Sequence, residues 1–183
     1  ANGEYGAVIV SAANLNIAAH EVAMPEGTSL VLLQNEIPDD VNLAVALKAK
    51  ASGAKVWLNA APAREISNGL VEVIDLLIVN KVEAEFYAGA GFVLNLLKTL
   101  GGKGVSYNGV RYSGFPVDVV STHGAGDMFV GALASQVVLG TNMVDAIKFA
   151  QAAAALHVSS QLDVRKKLNI QAATAFLAAQ DIR

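Results

Sequence analysis

Ser29-Leu30-Val31-Leu32-Leu33-Gln34 is an unbroken apolar run, and the pattern of breaks and runs downstream of it decides the fold. Pro38-Asp39-Asp40 supplies a stop and a helix N-cap, the spacing from Val41 to Ala51 is helical, and Gly53 closes that helix. Lys55-Val56-Trp57-Leu58-Asn59 then reads as the next strand, and Leu76-Leu77-Ile78-Val79 as another. Upstream, Ala7-Val8-Ile9-Val10 is a shorter apolar run ended by Ser11-Ala12-Ala13-Asn14. Apolar runs without alternation belong to strands buried on both faces. Strands of that kind separated by helices predict an α/β fold, with a parallel sheet covered by helices.

The second half continues with a strand from Phe92 to Thr99 and a hairpin-like stretch, Tyr107-Asn108-Gly109-Val110-Arg111-Tyr112, in which Asn108-Gly109 is a strong two-residue turn signal. Three helices come after Gly126: from about Asp127 to Leu139, stopped by Gly140; from near Asn142; and from roughly Ile170 to Ala179. One connection is short. If Leu76–Val79 and Phe92–Thr99 are parallel neighbours, a crossover of about a dozen or more residues should join them. Asn80 to Gly91 holds only a cramped helix from Val82 to Tyr87. Either those strands are not parallel neighbours, or residues are missing between Ala88 and Phe92; the second account is preferred.

The 183 residues suffice for one well-packed domain. At 54% hydrophobic and 16% charged, the balance suits a buried sheet, yet no run approaches the length of a membrane span. No secretory signal precedes the first strand. The alanine-rich run near Gln151 reads as close helix packing. Net charge is −3 with scattered basic residues, which argues against a nucleic-acid partner. Cysteine is absent, excluding disulfides and thiolate metal sites and fitting a cytoplasmic location. His20, His123 and His157 are too few for a His-rich metal centre.

The sharpest chemical feature is Ser121-Thr122-His123-Gly124-Ala125-Gly126-Asp127, leading into an apolar helix. Two glycines around an alanine let the backbone turn tightly and bare its N–H groups, and at a helix N-terminus those groups make an anion site. Asp127 at its mouth is placed to take a proton from an attacking hydroxyl. Backbone dipoles would then stabilise a moving phosphoryl group while one carboxylate readies the acceptor. The competing reading is an ordinary Gly-rich turn with Asp127 capping the helix, and on these residues alone both stand.

Asn80-Lys81-Val82-Glu83 lies just past an apolar strand, where open α/β sheets bind ligands. Asn80 and Glu83 offer oxygens one helical turn apart, suited to holding waters around magnesium. A capping box explains the same spacing and, taken alone, is the more frequent arrangement. Thr99-Leu100-Gly101-Gly102-Lys103-Gly104 also succeeds a strand end; its glycines mark backbone close to a ligand or a loose turn. It is not a Walker loop. Glu36, ending the run Gln34-Asn35-Glu36 on the same sheet edge, could contact a polyol or stand as an exposed loop carboxylate. Asn59-Ala60-Ala61-Pro62-Ala63 ends the third strand, while His20 and His157 read as surface or packing residues.

Taken in order, Gln34-Asn35-Glu36-Ile37-Pro38, Asn59-Ala60-Ala61-Pro62-Ala63-Arg64, Asn80-Lys81-Val82-Glu83-Ala84-Glu85, Thr99-Leu100-Gly101-Gly102-Lys103-Gly104, Gly124-Ala125-Gly126-Asp127 and Phe149-Ala150-Gln151-Ala152-Ala153-Ala154 resemble the ribokinase-like (PfkB-type) carbohydrate kinases. The resemblance spans nearly the whole chain. It implies a three-layer α/β/α fold and ATP-dependent phosphorylation of a sugar hydroxyl, with ribose the first substrate expected. Asp127 would be the catalytic base and touch the sugar, and Gly124, Ala125 and Gly126 would form the anion hole. Asn80 and Glu83 would organise Mg2+ through water. Thr99, Gly101 and Gly104 would lie by the nucleotide, and Glu36 would contact the sugar.

The departures are specific. The family begins with a sugar-binding segment and a small β lid that residues 1–183 do not contain. Shortening is also suspected around Val105–Tyr107 and Ser160–Asp163. Ser121 stands where the family usually has Asp and His123 where it often has Thr. That Asp helps bind an activating monovalent cation, so K+ dependence is left open. The partners implied are ATP and a small sugar, with no nucleic acid and no membrane; a homodimer is one open option. The alternatives kept are a nucleoside kinase, a non-catalytic nucleotide- or sugar-binding homologue and, last, a nicotinamide-dependent oxidoreductase, which lacks its glycine fingerprint.

Overall fold

The computed structural model describes residues 12–89 and 95–180. The strand expected at Ala7–Val10, and the first residues of the one expected from Phe92, lie outside that range. A six-stranded sheet has the order β1 (Leu30–Gln34), β2 (Lys55–Asn59), β3 (Leu76–Val79), β4 (Leu96–Thr99), β5 (Val105–Tyr107) and β6 (Val110–Tyr112). The chain divides into two compact units, one built on described residues of Ile9–Leu100 with Ser106–Val110, the other on those of Gly101–Val105 with Arg111–Arg183.

In the first unit β1, β2, β3 and β4 are parallel, with Gln34 opposite Asn59, Asn59 opposite Ile78 and Val79 opposite Lys98. Consecutive pairing is what short βαβ crossovers produce. Helix α1 (Asp39–Ala51) joins β1 to β2, α2 (Asn68–Val73) joins β2 to β3, and α3 (Lys81–Tyr87) lies between β3 and β4. Of the two accounts offered for this connection, the one in which the strands are not parallel neighbours is ruled out: β3 and β4 pair in parallel, with the seven-residue α3 between them. α2 gives no clear signal in the sequence because its six residues make less than two turns of periodicity. Ser67 caps it, accepting from Leu70 N at 3.3 Å.

The unbroken apolar runs sit as buried strands at β2 and β3, where Val56, Trp57, Leu58 and all four residues of β3 are buried. β1 departs from that expectation. It lies at the end of the sheet among the described strands, and Leu32 is 38% exposed. Val41, Val45, Ala46 and Ala49 of α1 and Leu70 of α2 pack with Leu33, Val56, Leu58, Leu77 and Val79 in one apolar cluster. Burial of each large aliphatic side chain contributes roughly 1.5–3 kcal/mol. The turn at Pro38 works differently from the N-cap expected: α1 starts at Asp39, and the Asp39 carboxylate accepts from Ser67 N at 3.2 Å instead of capping its own helix. At the other end Ala54 N donates to Ala49 O and Gly53 N to Lys50 O, both at 3.0 Å, with Gly53 at φ +79°; the two bonds form a Schellman stop.

In the second unit, α4 (Ala125–Val138) packs on α5 (Met143–Ser159), and α5 on α7 (Ile170–Gln180). The alanine-rich face of α5 gives this close approach: Ala146, Ala150 and Ala152 are fully buried, and Phe149, Ala153 and Ala173 share a cluster. A fourth short helix, α6 (Leu162–Arg165), falls where the sequence suggests shortening. The Asn108-Gly109 turn joins β5 to β6 with both residues at positive φ, 47° and 83°, as a two-residue hairpin turn demands. No helix among the described residues is long and apolar enough to cross a membrane.

Gly104 and Gly53 separate two uses of glycine. Both have positive φ, but a Cβ on Gly53 meets nothing, whereas one on Gly104 runs into Tyr112 O and lies 2.5 Å from Gly114 N. Gly104→Ala is expected to cost about 3 kcal/mol and Gly53→Ala about 1 kcal/mol, measured by equilibrium urea denaturation; equal costs would refute the assignment.

Candidate active site

The four parallel strands of the first unit end on one edge, and most of the residues singled out in its half of the sequence lie just past those ends. Glu36 sits two residues past β1, half-buried. Asn59 closes β2, and the loop behind it reaches Arg64. Asn80 comes directly after β3. Thr99 closes β4, with its hydroxyl making a long contact to Val79 O at 3.4 Å. The carboxyl edge of a parallel sheet collects ligands because the loops there are the parts of the chain free to vary on a rigid support.

Asn80 and Glu83 form a complete capping box. Asn80 Oδ1 accepts from Glu83 N at 3.0 Å, and the Glu83 carboxylate accepts from Asn80 N at 2.6 Å and from Asn80 Nδ2 at 2.7 Å. Glu83 is only 5% exposed, while Asn80 is exposed. Burial pushes the Glu83 carboxyl above the usual carboxylate range, and the bond from the Asn80 backbone opposes that shift in part. Each Glu83 oxygen uses one lone pair on Asn80 and keeps another. Capping and a water-mediated role toward a cation are thus compatible here. Among the described residues no group of three or more His, Cys, Asp or Glu is placed to hold a metal ion.

Tyr87, one helical turn beyond Glu83, was missed by the sequence reading. Its hydroxyl donates to Arg64 O at 2.6 Å and accepts from Asn35 Nδ2 at 3.0 Å and Arg64 N at 3.3 Å. Asn35 is itself 5% exposed, and Asn35 N donates to Ala61 O at 3.1 Å. One phenol therefore ties α3 to the loop that carries Glu36 and to the loop after β2. Burial, more than any neighbouring charge, pushes the Tyr87 hydroxyl above its ordinary value and keeps it a donor. A tyrosine at the end of a seven-residue helix carries no sequence signal of this role, because its partners lie 52 and 23 residues away.

In the second unit, Gly101 at φ +58° opens a tight turn that Gly104 N closes on Gly101 O at 3.0 Å. The close approach at Gly104 is to the backbone of Tyr112–Gly114. Gly124 is the N-cap of α4, in the left-handed region at φ 74°, ψ 7°. The helix thus begins at Ala125, two residues before the expected start at Asp127. The positive φ favours glycine there, and a Cβ on Gly124 would lie in tight contact, 3.1 Å, with His157 Nε2. His157 is no mere packing residue: its Nε2 lies 2.8 Å from His123 O, which fixes the proton on that nitrogen. Of the expected anion-hole donors, Ala125 N–H already donates to Thr122 O at 3.1 Å. Asp127 stands in the first turn of a fourteen-residue helix, exposed to solvent.

The pfkB family carbohydrate kinase model matches residues 7–165. Ribokinase of Haemophilus influenzae is 31% identical, aligned over 87% of this chain and 60% of its own length; ribokinase of Bacillus subtilis is 32% identical with the same coverage, so the chain spans about six tenths of these relatives. The crystal structure of Thermotoga maritima ribokinase superposes with a TM-score of 0.77 at 28% identity, covering 91% of this chain and 63% of the other. The structure of Arabidopsis thaliana ribokinase complexed with ribose and ATP gives 0.71 at 30% identity, covering 81% and 55%. The three-layer α/β fold with a mostly parallel sheet, implied by the motif order, is the fold these structures share with the chain.

The geometry of the first unit yields two expected outcomes. Tyr87→Phe strands the Asn35 amide and should cost about 1–3 kcal/mol in urea denaturation; a loss below about 0.5 kcal/mol would remove the hydroxyl from its central role. Glu83 has a folded-state pKa raised above its unfolded value, so its contribution is fully present below the unfolded pKa and is lost as pH rises through the folded one. The stability difference between wild type and Glu83→Gln should therefore shrink from acid toward neutral pH. A difference that grows with pH contradicts a pKa set by burial.

Proposed function

The chain belongs to the pfkB family of carbohydrate kinases, and on that premise we propose that it carries the nucleotide-handling and catalytic portion of an ATP-dependent sugar kinase. The sugar-binding and lid portion characteristic of such kinases is proposed to lie outside residues 1–183. Ribose is the first acceptor to test, since the relatives at 31% and 32% identity are ribokinases and a 30%-identical structure is described as complexed with ribose and ATP. The observation that carries the reading is the first turn of α4, where an exposed carboxylate, Asp127, comes after a left-handed glycine at the positive end of a fourteen-residue helix.

The reaction this supports is direct transfer. A sugar hydroxyl oxygen attacks the γ-phosphorus of ATP while Asp127 takes its proton, and the bond to the β–γ bridging oxygen breaks to release ADP. The main chain of Gly124, Ala125 and Gly126 is assigned the charge that develops on the transferred group, the helix dipole adding to it. Ala125 must turn its N–H away from Thr122 O, or leave the task to its neighbours. Asn80 and Glu83 are assigned to orient the waters of Mg2+, which when bound neutralises phosphate charge. Thr99, Gly101 and Gly104 are assigned to the nucleotide, and Glu36 to the sugar. Tyr87 holds the Glu36 loop.

Asp127→Asn is expected to lower kcat by about a hundredfold to ten-thousandfold while leaving ATP affinity within about threefold. Coupled assay on a panel of sugars and nucleosides, with nucleotide binding by calorimetry, measures both. Nucleotide binding with no turnover on any acceptor would instead favour a non-catalytic homologue of the fold, and Asp127→Asn that keeps full kcat would move the base elsewhere.

A further inference from the structure

The loop entering α4 is held by a charged group that the proposed chemistry does not use. Arg165 closes the short helix α6, half-buried. Its guanidinium faces three main-chain carbonyls: Nε donates to Ser160 O at 2.9 Å, Nη2 to Ser121 O at 3.0 Å, and Nη1 reaches His123 O at 3.5 Å. Two of those oxygens belong to the loop that ends at Gly124; the third belongs to the C-cap of α5. His157 Nε2 adds a second donor to His123 O from the same helix. Further along, Val120 N and Ser121 N both approach Val158 O, at 2.8 and 3.2 Å, so the whole entry to α4 is anchored on the end of α5.

Converging carbonyl oxygens are the donor set with which proteins replace the hydration shell of a monovalent cation. Here a guanidinium already faces them. The side chain nearest in sequence, Ser121, is a neutral hydroxyl whose oxygen accepts from His123 N at 3.3 Å. A free K+ added to these carbonyls would meet a fixed positive charge with no carboxylate from position 121 to offset it. The donor set does not fit the ion.

We propose that Arg165 is a built-in cation: its guanidinium replaces a free monovalent ion in ordering the Ser121–Gly124 loop, and the protein works without K+. Arg165 acts through the loop, as a positioning residue. The fold side of the proposal stands by itself; only its effect on turnover rests on the kinase reading.

The test compares K+ with tetramethylammonium at constant ionic strength, in wild type, Arg165→Met and Arg165→Lys. Amide exchange of residues 121–125 by mass spectrometry and the melting temperature are read beside kcat. In wild type, loop exchange, melting temperature and kcat should be the same in both salts. Arg165→Met should speed exchange of the loop by about tenfold or more, and K+ should slow it again in that variant alone. Arg165→Lys, which keeps the charge without the fork, should fall between the two. The proposal is overturned if K+ raises the wild-type melting temperature or slows its loop exchange, if Arg165→Met exchanges like wild type, or if Arg165→Met ignores K+. Should Arg165→Met fail to fold, the wild-type salt comparison and Arg165→Lys still decide. Absence of turnover on every acceptor would sink the kinase reading while leaving the exchange results to judge the loop.

Discussion

The Tyr87 hydroxyl is the point on which the carboxyl edge of the first unit depends. A parallel sheet ends in loops whose backbone groups have lost their ladder partners, and each must find another or face water. Past β1, Asn42 Nδ2 donates to Gln34 O at 2.9 Å, and the loops beyond β1 and β2 are tied together through one oxygen, that of Tyr87. It donates to Arg64 O and accepts from Arg64 N and Asn35 Nδ2, which uses all three hydrogen-bonding positions a phenol has. Asn35 completes the circuit through its own N–H to Ala61 O, and Ala60 N reaches Ile78 O at 2.8 Å. Glu36, next to Asn35, is therefore carried on a loop whose position is fixed by α3 as well as by its own strand. A phenylalanine would keep the packing and the edge-on contact with Phe86, at 5.0 Å between ring centroids, and lose the circuit.

Much of this fold is legible in the sequence because its signals are local. β2 and β3 are unbroken apolar runs with breaks on either side, and their bounds in space match those in sequence. Gly53, Gly140 and Asn142 mark helix ends because a left-handed stop or a side-chain cap needs one particular residue at one place. Among the described residues β4 begins at Leu96, while Asn95 O still accepts from Leu77 N at 2.9 Å and the Asn95 side chain bonds Asp75 O and Asn108. The crossover looks short in the sequence only because the apolar run is read as starting at Phe92; residues 80–95 separate β3 from the described start of β4, a span that reaches the dozen or more residues a parallel crossover needs. The seven-residue helix α3, opened by a capping box, lies within it.

The candidate site is legible only in part, and the division is physical. Asn80, Glu83, Gly124 and Asp127 stand in short patterns that backbone chemistry constrains, so they can be found without a structure. Tyr87, His157 and Arg165 cannot. Each acts through a contact to a main-chain carbonyl between 23 and 44 residues away, and a carbonyl has no sequence signature. The reason for Gly124 is similar. Its positive φ belongs to the loop, but the tight space around a Cβ comes from a histidine on another helix.

Two carboxylates show how one side-chain type is fitted to different work. Glu83 is nearly sealed from solvent, spends both oxygens on Asn80, and is pushed upward in pKa by its burial. A group so engaged makes a poor shuttle for protons, because every change in its charge disturbs the cap of α3. It makes a good fixed acceptor, able to orient water without moving. Asp127 stands exposed in the first turn of α4, at the positive end of that helix. The two carboxylates thus differ by surroundings: one is sealed and fixed within a cap, the other faces solvent at the start of a long helix.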